Sequence, residues 1–232
     1  MKYALQSNQR LEATPKASGN CLCCGTEVLA VCGTKKVWHW RHKAKLNCDH
    51  WWENETQWHR DWKNHFPEEW QEVVHFAEDG EKHIADVKTN KGMVIEFQHS
   101  AISAEEKLAR ENFYQNMIWV IDGRRLKRDF SRFDKACTDW RVWPHSCITA
   151  LQFSEFVLPK DWLMRSVPLV FDWGMDSGGG QGQPVLSNNL ICVLPSKNEY
   201  SPARCFPIQR KQFIRMVIEK QNLQIPEHQN IT

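Results

Sequence analysis

The chain has no long hydrophobic run: none of its 232 residues belongs to a stretch approaching the roughly 18 apolar residues of a membrane-crossing helix. Its N-terminus, MKYALQSNQRLEATPKASG, lacks the apolar middle of a signal peptide, so a cytoplasmic protein with no membrane partner is expected. The glycine-rich stretch Gly174–Pro184 has no Gly-Lys-Ser/Thr and is not a phosphate-binding P-loop; it reads as a linker or a mobile flap. No internal repeat is visible. Net charge is also small, +2 at pH 7. Cysteine is not scarce, but the nine present are odd in number and unevenly spaced. That argues against a disulfide framework and for thiols and metal ligands in a reducing compartment.

What is present suffices for a core. Hydrophobic residues make up 41% of the chain and there are 12 tryptophans, too apolar a composition for disorder. The expected organisation is a module over residues 1–50, a core over 51–125 and an extension over 126–232. Charge is segregated along the chain. Residues 1–50 carry 8 Lys/Arg against 3 Asp/Glu, residues 51–120 carry 7 against 14, and residues 121–232 carry 15 against 11. An acidic middle between basic flanks suits a carboxylate–metal centre served by phosphate-binding cations. It suits an ordinary solvated protein equally well.

The stretch His83–Ser100, HIADVKTNKGMVIEFQHS, reads as a β-hairpin, with alternating β-branched runs on either side of Thr89-Asn90-Lys91-Gly92. A three-residue loop with Gly92 in the left-handed position pairs Thr89 with Met93 and sets Asp86 opposite Glu96. Opposed residues share a face with Cβ atoms about 5 Å apart, and Gln98 joins them at i+2. Two adjacent carboxylates repel unless a cation such as Mg²⁺ or Mn²⁺ lies between them. The alternative is an exposed hairpin with one surface acid per strand.

Upstream, Cys21 and Cys24 have C-x₂-C spacing followed by Gly25, and Val28–Val31 with Lys36–Trp40 suggests a hairpin that returns the chain to them. His39, His42 and Cys48 follow. Tetrahedral zinc needs four N or S donors, so four of Cys21, Cys24, His39, His42 and Cys48 make a site; a small core of buried thiols is the alternative. Asp49 is placed to cap a helix over His50–Phe66, stopped by Pro67. At helical spacing Trp51, Trp58, Trp62 and Phe66 form a stripe with Glu55 at its middle, and His59 and Lys63 follow at i+4 and i+8. A carboxylate there needs a metal or a cation.

Next, Gln71–Ala77 reads as a strand. Ser103 with Glu106 reads as a capping box opening a helix that carries Arg110 and Tyr114, and Met117–Asp122 is an apolar strand. The order is helix, three-strand meander, helix, strand. An acid on one strand, Glu-x-Gln on the next and a Glu-bearing helix before them resemble the PD-(D/E)xK nuclease superfamily. More closely, Glu55-x₃-His59-x₃-Lys63, Ala85-Asp86-Val87, Glu96-Phe97-Gln98-His99-Ser100 and Arg110-x₃-Tyr114 resemble the CoiA-like competence-protein family. The Cys-x₂-Cys and His-Trp-Arg-His ahead of them share in that resemblance, which spans about residues 20–122.

The resemblance implies an α/β (α+β mixed sheet) fold: a restriction-endonuclease-like core, an N-terminal zinc-ribbon-like module and a C-terminal α/β extension. It implies that Asp86 and Glu96 ligate Mg²⁺ or Mn²⁺, that Glu55 is a third acid of the site, and that DNA is the substrate. Recombination or foreign-DNA-processing proteins are the implied partners. Gln98 stands where the superfamily usually has lysine, a departure that Lys63 or His59 would have to make good. In such a site Lys63 would stabilise transition-state charge, His59 would carry a proton or contact phosphate, and Gln98 would orient water. Arg110 would brace the site or hold a phosphate, or simply pair with Glu106.

Beyond the core, Arg124, Arg125, Lys127 and Arg128 form a basic patch, and Trp140, Trp143 and Trp162 either stack on bases or pack in a core. Strands are expected at Val167–Asp172 and Leu190–Leu194, and a helix at Phe206–Gln221. The last ten residues are expected to fray. Three functions compete: a metal-dependent DNA nuclease, a non-catalytic nucleic-acid-binding accessory protein on the same fold, and a zinc- and Trp-rich interaction module.

Overall fold

The computed structural model describes residues 1–44, 48–78, 80–125, 127–136, 149–151, 154–174, 189–196, 198 and 202–223. Trp140, Trp143, most of the glycine-rich stretch and the terminal segment lie outside the described residues. The fold is mixed α and β, in two compact units, Met1–Lys88 and Thr89–Thr232.

Met1–Lys88 begins with five short strands: β1 (Tyr3–Gln6), β2 (Gln9–Glu12), β3 (Ser18–Asn20), β4 (Glu27–Val31) and β5 (His39–His42). They form an antiparallel sheet in the order β2-β1-β3-β4-β5. The β1–β2 turn is Ser7-Asn8, both with positive φ, as a two-residue hairpin requires. At Gly19 a Cβ would lie 2.7 Å from the Leu5 carbonyl oxygen, so only glycine lets β3 approach β1. Ala4, Cys21, Val28 and Trp40 form a buried core, and the Trp40 indole donates to the Leu11 carbonyl at 3.0 Å.

The helix expected over His50–Phe66 is shorter. Helix α1 covers Gln57–Lys63 only. Asp49 does not cap it: the carboxylate accepts from the backbone N–H of Trp51 (3.0 Å) and of Ile84 (2.8 Å), a long-range contact that competes with capping. Thr56 caps α1 instead, in a capping box with His59 at the position usually held by Glu or Gln. The aromatic stripe therefore breaks up. Trp51 and Glu55 precede the helix, and Phe66 follows it. Strands β6 (Gln71–Phe76) and β7 (Lys82–Lys88) then form an antiparallel hairpin, with Gln71 against Val87 and Phe76 against Lys82.

Thr89–Thr232 opens with the predicted turn. Thr89 N–H donates to the Met93 carbonyl, Gly92 N–H donates to that of Thr89, both at 2.9 Å, and Gly92 has φ +83°. Then come β8 (Val94–Gln98), α2 (Ala104–Tyr114), β9 (Met117–Asp122), α3 (Lys127–Ala136), β10 (Thr149–Leu151), α4 (Ser154–Val157), β11 (Leu169–Asp172), β12 (Asn189–Val193), β13 (Ala203–Gln209) and α5 (Arg210–Lys220). The six strands follow the order β10-β13-β12-β11-β9-β8, parallel from β8 through β9 to β11 and antiparallel beyond. Helix α2 is the crossover that a parallel β8–β9 pair needs. Its N-cap is Ser103, which accepts from Glu106 N–H at 3.1 Å.

Two expectations change here. Phe206–Gln209 is strand rather than helix, because it pairs with Asn189–Cys192 of β12, through Leu190↔Ile208 and Ile191↔Pro207 among others. Trp162 is buried against Trp119, with ring centroids 5.5 Å apart, and belongs to the core.

Candidate functional site

In Met1–Lys88, Lys63 on α1 is fully enclosed and surrounded by carboxylates. Its ammonium Nζ lies 2.5 Å from Glu55 Oε1, 3.0 Å from Glu72 Oε1 and 3.6 Å from Asp86 Oδ1. Arg60 Nη2 pairs with Glu55 Oε2 at 2.7 Å. Glu55 and Asp86 are thus brought together as expected, and Glu72 joins them. Glu72 carried no sequence signal beyond its place in a strand. The pairs Gln71↔Val87 and Val73↔Ala85 bracket Glu72 against Asp86 on the neighbouring strand. Its φ of +47° is left-handed, a strained state for a non-glycine residue. Three donors hold it there: the backbone N–H groups of Lys2 (2.6 Å) and Tyr3 (3.0 Å), and Lys63.

The electrostatics follow from this crowding. Burial pushes the Lys63 ammonium down, but Glu72, Glu55 and Asp86 outweigh it and hold the pKa well above its ordinary value. Burial pushes Glu72 and Glu55 up, but Lys63 in each case leaves them below the usual carboxylate range. All three are charged at neutral pH. Asp86 is the most exposed of the acids, its side chain 25% accessible against 7% for Glu55 and 6% for Glu72.

His59 lies on α1 one turn before Lys63, and burial lowers its pKa, so its imidazole is neutral. Its Nδ1 accepts from Thr56 N–H at 3.3 Å and contacts Thr56 Oγ1 at 2.9 Å. The proton of the neutral ring therefore resides on Nε2.

In Thr89–Thr232, every residue of β8 is buried, including Glu96 and Gln98. The Arg110 guanidinium donates to Glu96 Oε2 at 3.2 Å and pairs with Glu106 one turn back on α2. Arg110 and Tyr114 are both buried, Tyr114 edge-on to Phe113. The placement of Arg110 is that of a brace on Glu96 rather than a surface phosphate contact. The Gln98 amide donates to the Ser100 carbonyl (3.2 Å) and hydroxyl (3.3 Å). Arg124, Arg125 and Arg128 lie just past β9; Arg124 and Arg128 are exposed, and Arg125 is half-buried.

A second constellation lies in the N-terminal sheet. Cys21, Cys24, His42 and Cys48 bring four donor atoms within 4.8 Å of one another. Cys21 and Cys48 sulfurs are 3.7 Å apart, and Cys24 Sγ is 3.3 Å from His42 Nε2. Tetrahedral zinc with Zn–S bonds of about 2.3 Å sets sulfurs about 3.8 Å apart, so the donor set fits zinc. His39 is excluded. It lies three residues before His42 on β5, an odd spacing that turns it to the other face, and its Nδ1 contacts the Val37 carbonyl at 2.9 Å. Burial raises the Cys21 and Cys48 thiols. Burial would raise Cys24 as well, but hydrogen bonds from Thr26 bring it down to about 6.

Residues 82–151 match the family model described as the nuclease-like domain of competence protein CoiA, which bears out the resemblance to the CoiA-like family. The matched stretch takes in Asp86, Glu96, Gln98, Arg110 and Tyr114 and begins after the cysteine cluster and Glu55. No curated protein and no solved structure matches the chain. No described helix is long and apolar enough to cross a membrane.

Proposed function

We propose that this chain is a divalent-metal-dependent nuclease that hydrolyses DNA phosphodiester bonds. The observation that carries the reading is the gathering of Glu55, Glu72 and Asp86 around a buried lysine, next to a stretch similar to a nuclease-like domain.

Glu55, Glu72 and Asp86 bring carboxylate oxygens together around Lys63. Oxygen donors of this kind suit Mg²⁺ or Mn²⁺, with Glu55 and Asp86 as the holding residues; the family resemblance implies Glu96 as a further ligand. When bound, the cation supplies charge stabilisation and a water that is nucleophilic at neutral pH. Lys63, protonated throughout the working range, offsets negative charge that builds on the phosphoryl oxygens. Neutral His59, with its proton on Nε2, donates to a phosphate oxygen rather than acting as a base. Arg110 holds Glu96 in place. Arg124, Arg125 and Arg128 follow the nucleic-acid backbone, and zinc at the Cys/His cluster fixes the N-terminal sheet.

The test is cleavage of linear, single-stranded and branched DNA with Mg²⁺ or Mn²⁺. Wild type should cleave, and Asp86→Asn and Glu96→Gln should not, while both remain folded and bind DNA. The Gln98 amide, turned onto Ser100, favours a second reading, a binding protein on this fold without its chemistry. DNA binding without cleavage by wild type would select it.

A further inference from the structure

His50, Glu81 and His83 bring one donor atom each within 4.8 Å of one another, in a group that contains no sulfur and none of the carboxylates around Lys63. His83, the second residue of β7, is 1% exposed, whereas His50 and Glu81 are exposed. The ring of His83 is fixed from two sides. Trp51 stacks on it at 3.3 Å between centroids and 17° between planes. Its Nδ1 lies 2.8 Å from Asp49 Oδ1, and that carboxylate is itself held by the N–H groups of Trp51 and Ile84.

The other nitrogen, Nε2, points at Glu81 Oε1, 3.0 Å away. The His50 ring approaches from a third direction, edge-on to His83 with centroids 4.9 Å apart. Nδ1 thus faces the buried Asp49, and Nε2 and Glu81 Oε1 face each other across 3.0 Å, so that a cation bound there would share both.

A carboxylate on Nδ1 behind a ligating histidine is the arrangement that fixes the tautomer and raises ligand basicity at metal sites. We propose that His50, Glu81 and His83 form a second transition-metal site, with Asp49 orienting His83. Two imidazoles and one carboxylate select a borderline divalent ion such as zinc over Mg²⁺ or Ca²⁺. Three protein donors leave at least one coordination position to water. Tetrahedral bonds of about 2.0–2.1 Å need donors about 3.3 Å apart, which the two exposed side chains reach by rotation. The site also ties the turn that follows Cys48 to the start of β7.

The test uses the full chain with zinc already in the Cys/His cluster, titrated with Co²⁺ by absorption spectroscopy and with Zn²⁺ by calorimetry. A further equivalent should bind, with the weak d–d bands of nitrogen and oxygen ligation and no sulfur-to-cobalt charge transfer. His50→Ala and Glu81→Gln, both at exposed positions, should each weaken it at least tenfold without changing the unfolding midpoint of the metal-free protein. Asp86→Asn should leave it unchanged. No further equivalent, one with sulfur charge transfer, one indifferent to His50→Ala and Glu81→Gln, or one lost in Asp86→Asn would each overturn the proposal.

Discussion

Replacing Lys63 by methionine keeps most of the side-chain volume and removes the charge from among Glu55, Glu72 and Asp86. Breaking a buried ion pair by deleting one partner costs about 3–5 kcal/mol, because a charge is left enclosed without compensation. Glu72 would keep two backbone N–H donors, and Glu55 would keep Arg60. That places the loss at the lower end, about 3 kcal/mol at pH 7, or a drop of about 1–2 M in the urea midpoint with little change in slope.

The dependence on pH is more diagnostic than the loss itself. In the wild type Glu55 and Glu72 sit below their ordinary value of 4.5, so their contribution is complete above that pH and fades as pH falls through the folded values. Lys63 sits above 10.5, so its contribution is complete below that pH and fades as pH rises toward the folded value. In Lys63→Met the strongest opposition to burial is gone, and both carboxyl pKa values rise. The penalty is then present at neutral pH and relieved as pH falls. The gap between variant and wild type, measured by urea unfolding at matched pH, should narrow from pH 7 to pH 5. A gap below about 1 kcal/mol at pH 7, or one constant between the two pH values, would refute the account of this cluster. In the same variant Mn²⁺ should bind more tightly, since a competing cation is gone, while cleavage falls.

Three further outcomes are expected. Purified protein should carry about one tightly held zinc; Cys24→Ser and Cys48→Ser should lose it and lower the thermal midpoint, whereas His39→Ala should retain it, as read by metal analysis and calorimetry. Arg110→Met should cost about 3–5 kcal/mol in denaturant unfolding because Glu96 is left buried without its partner, and a loss confined to DNA affinity would contradict the bracing role. Arg124→Gln with Arg128→Gln should reduce the slope of log affinity for double-stranded DNA against log salt by about 2, measured by fluorescence anisotropy, with the fold unchanged by circular dichroism.

Much of the fold was legible in local pattern. Met117–Asp122 is the predicted strand to the residue, because an apolar, β-branched run has no other stable placement. The Asn90–Gly92 loop and the Ser103 cap were legible because turn and cap chemistry acts over three or four residues. Cys21, Cys24 and His42 were legible as donors from their types and spacing.

Contacts between residues distant in sequence decided the rest. Asp49 has the chemistry of a helix cap, yet its oxygens go to Ile84 and His83 on a strand more than thirty residues away, and the helix starts later at Thr56. Cys48 rather than His39 completes the thiol cluster because β5 turns one histidine inward and the other away. Glu72 enters the acidic cluster through a left-handed backbone that no periodicity encodes, and Phe206–Gln209 is strand because β12 offers it a ladder. Sequence determined which side chains were able to cap, ligate or carry charge, since that is set by their own chemistry. Tertiary structure decided which partner each one met, since a buried polar group takes the partner that folding brings within reach.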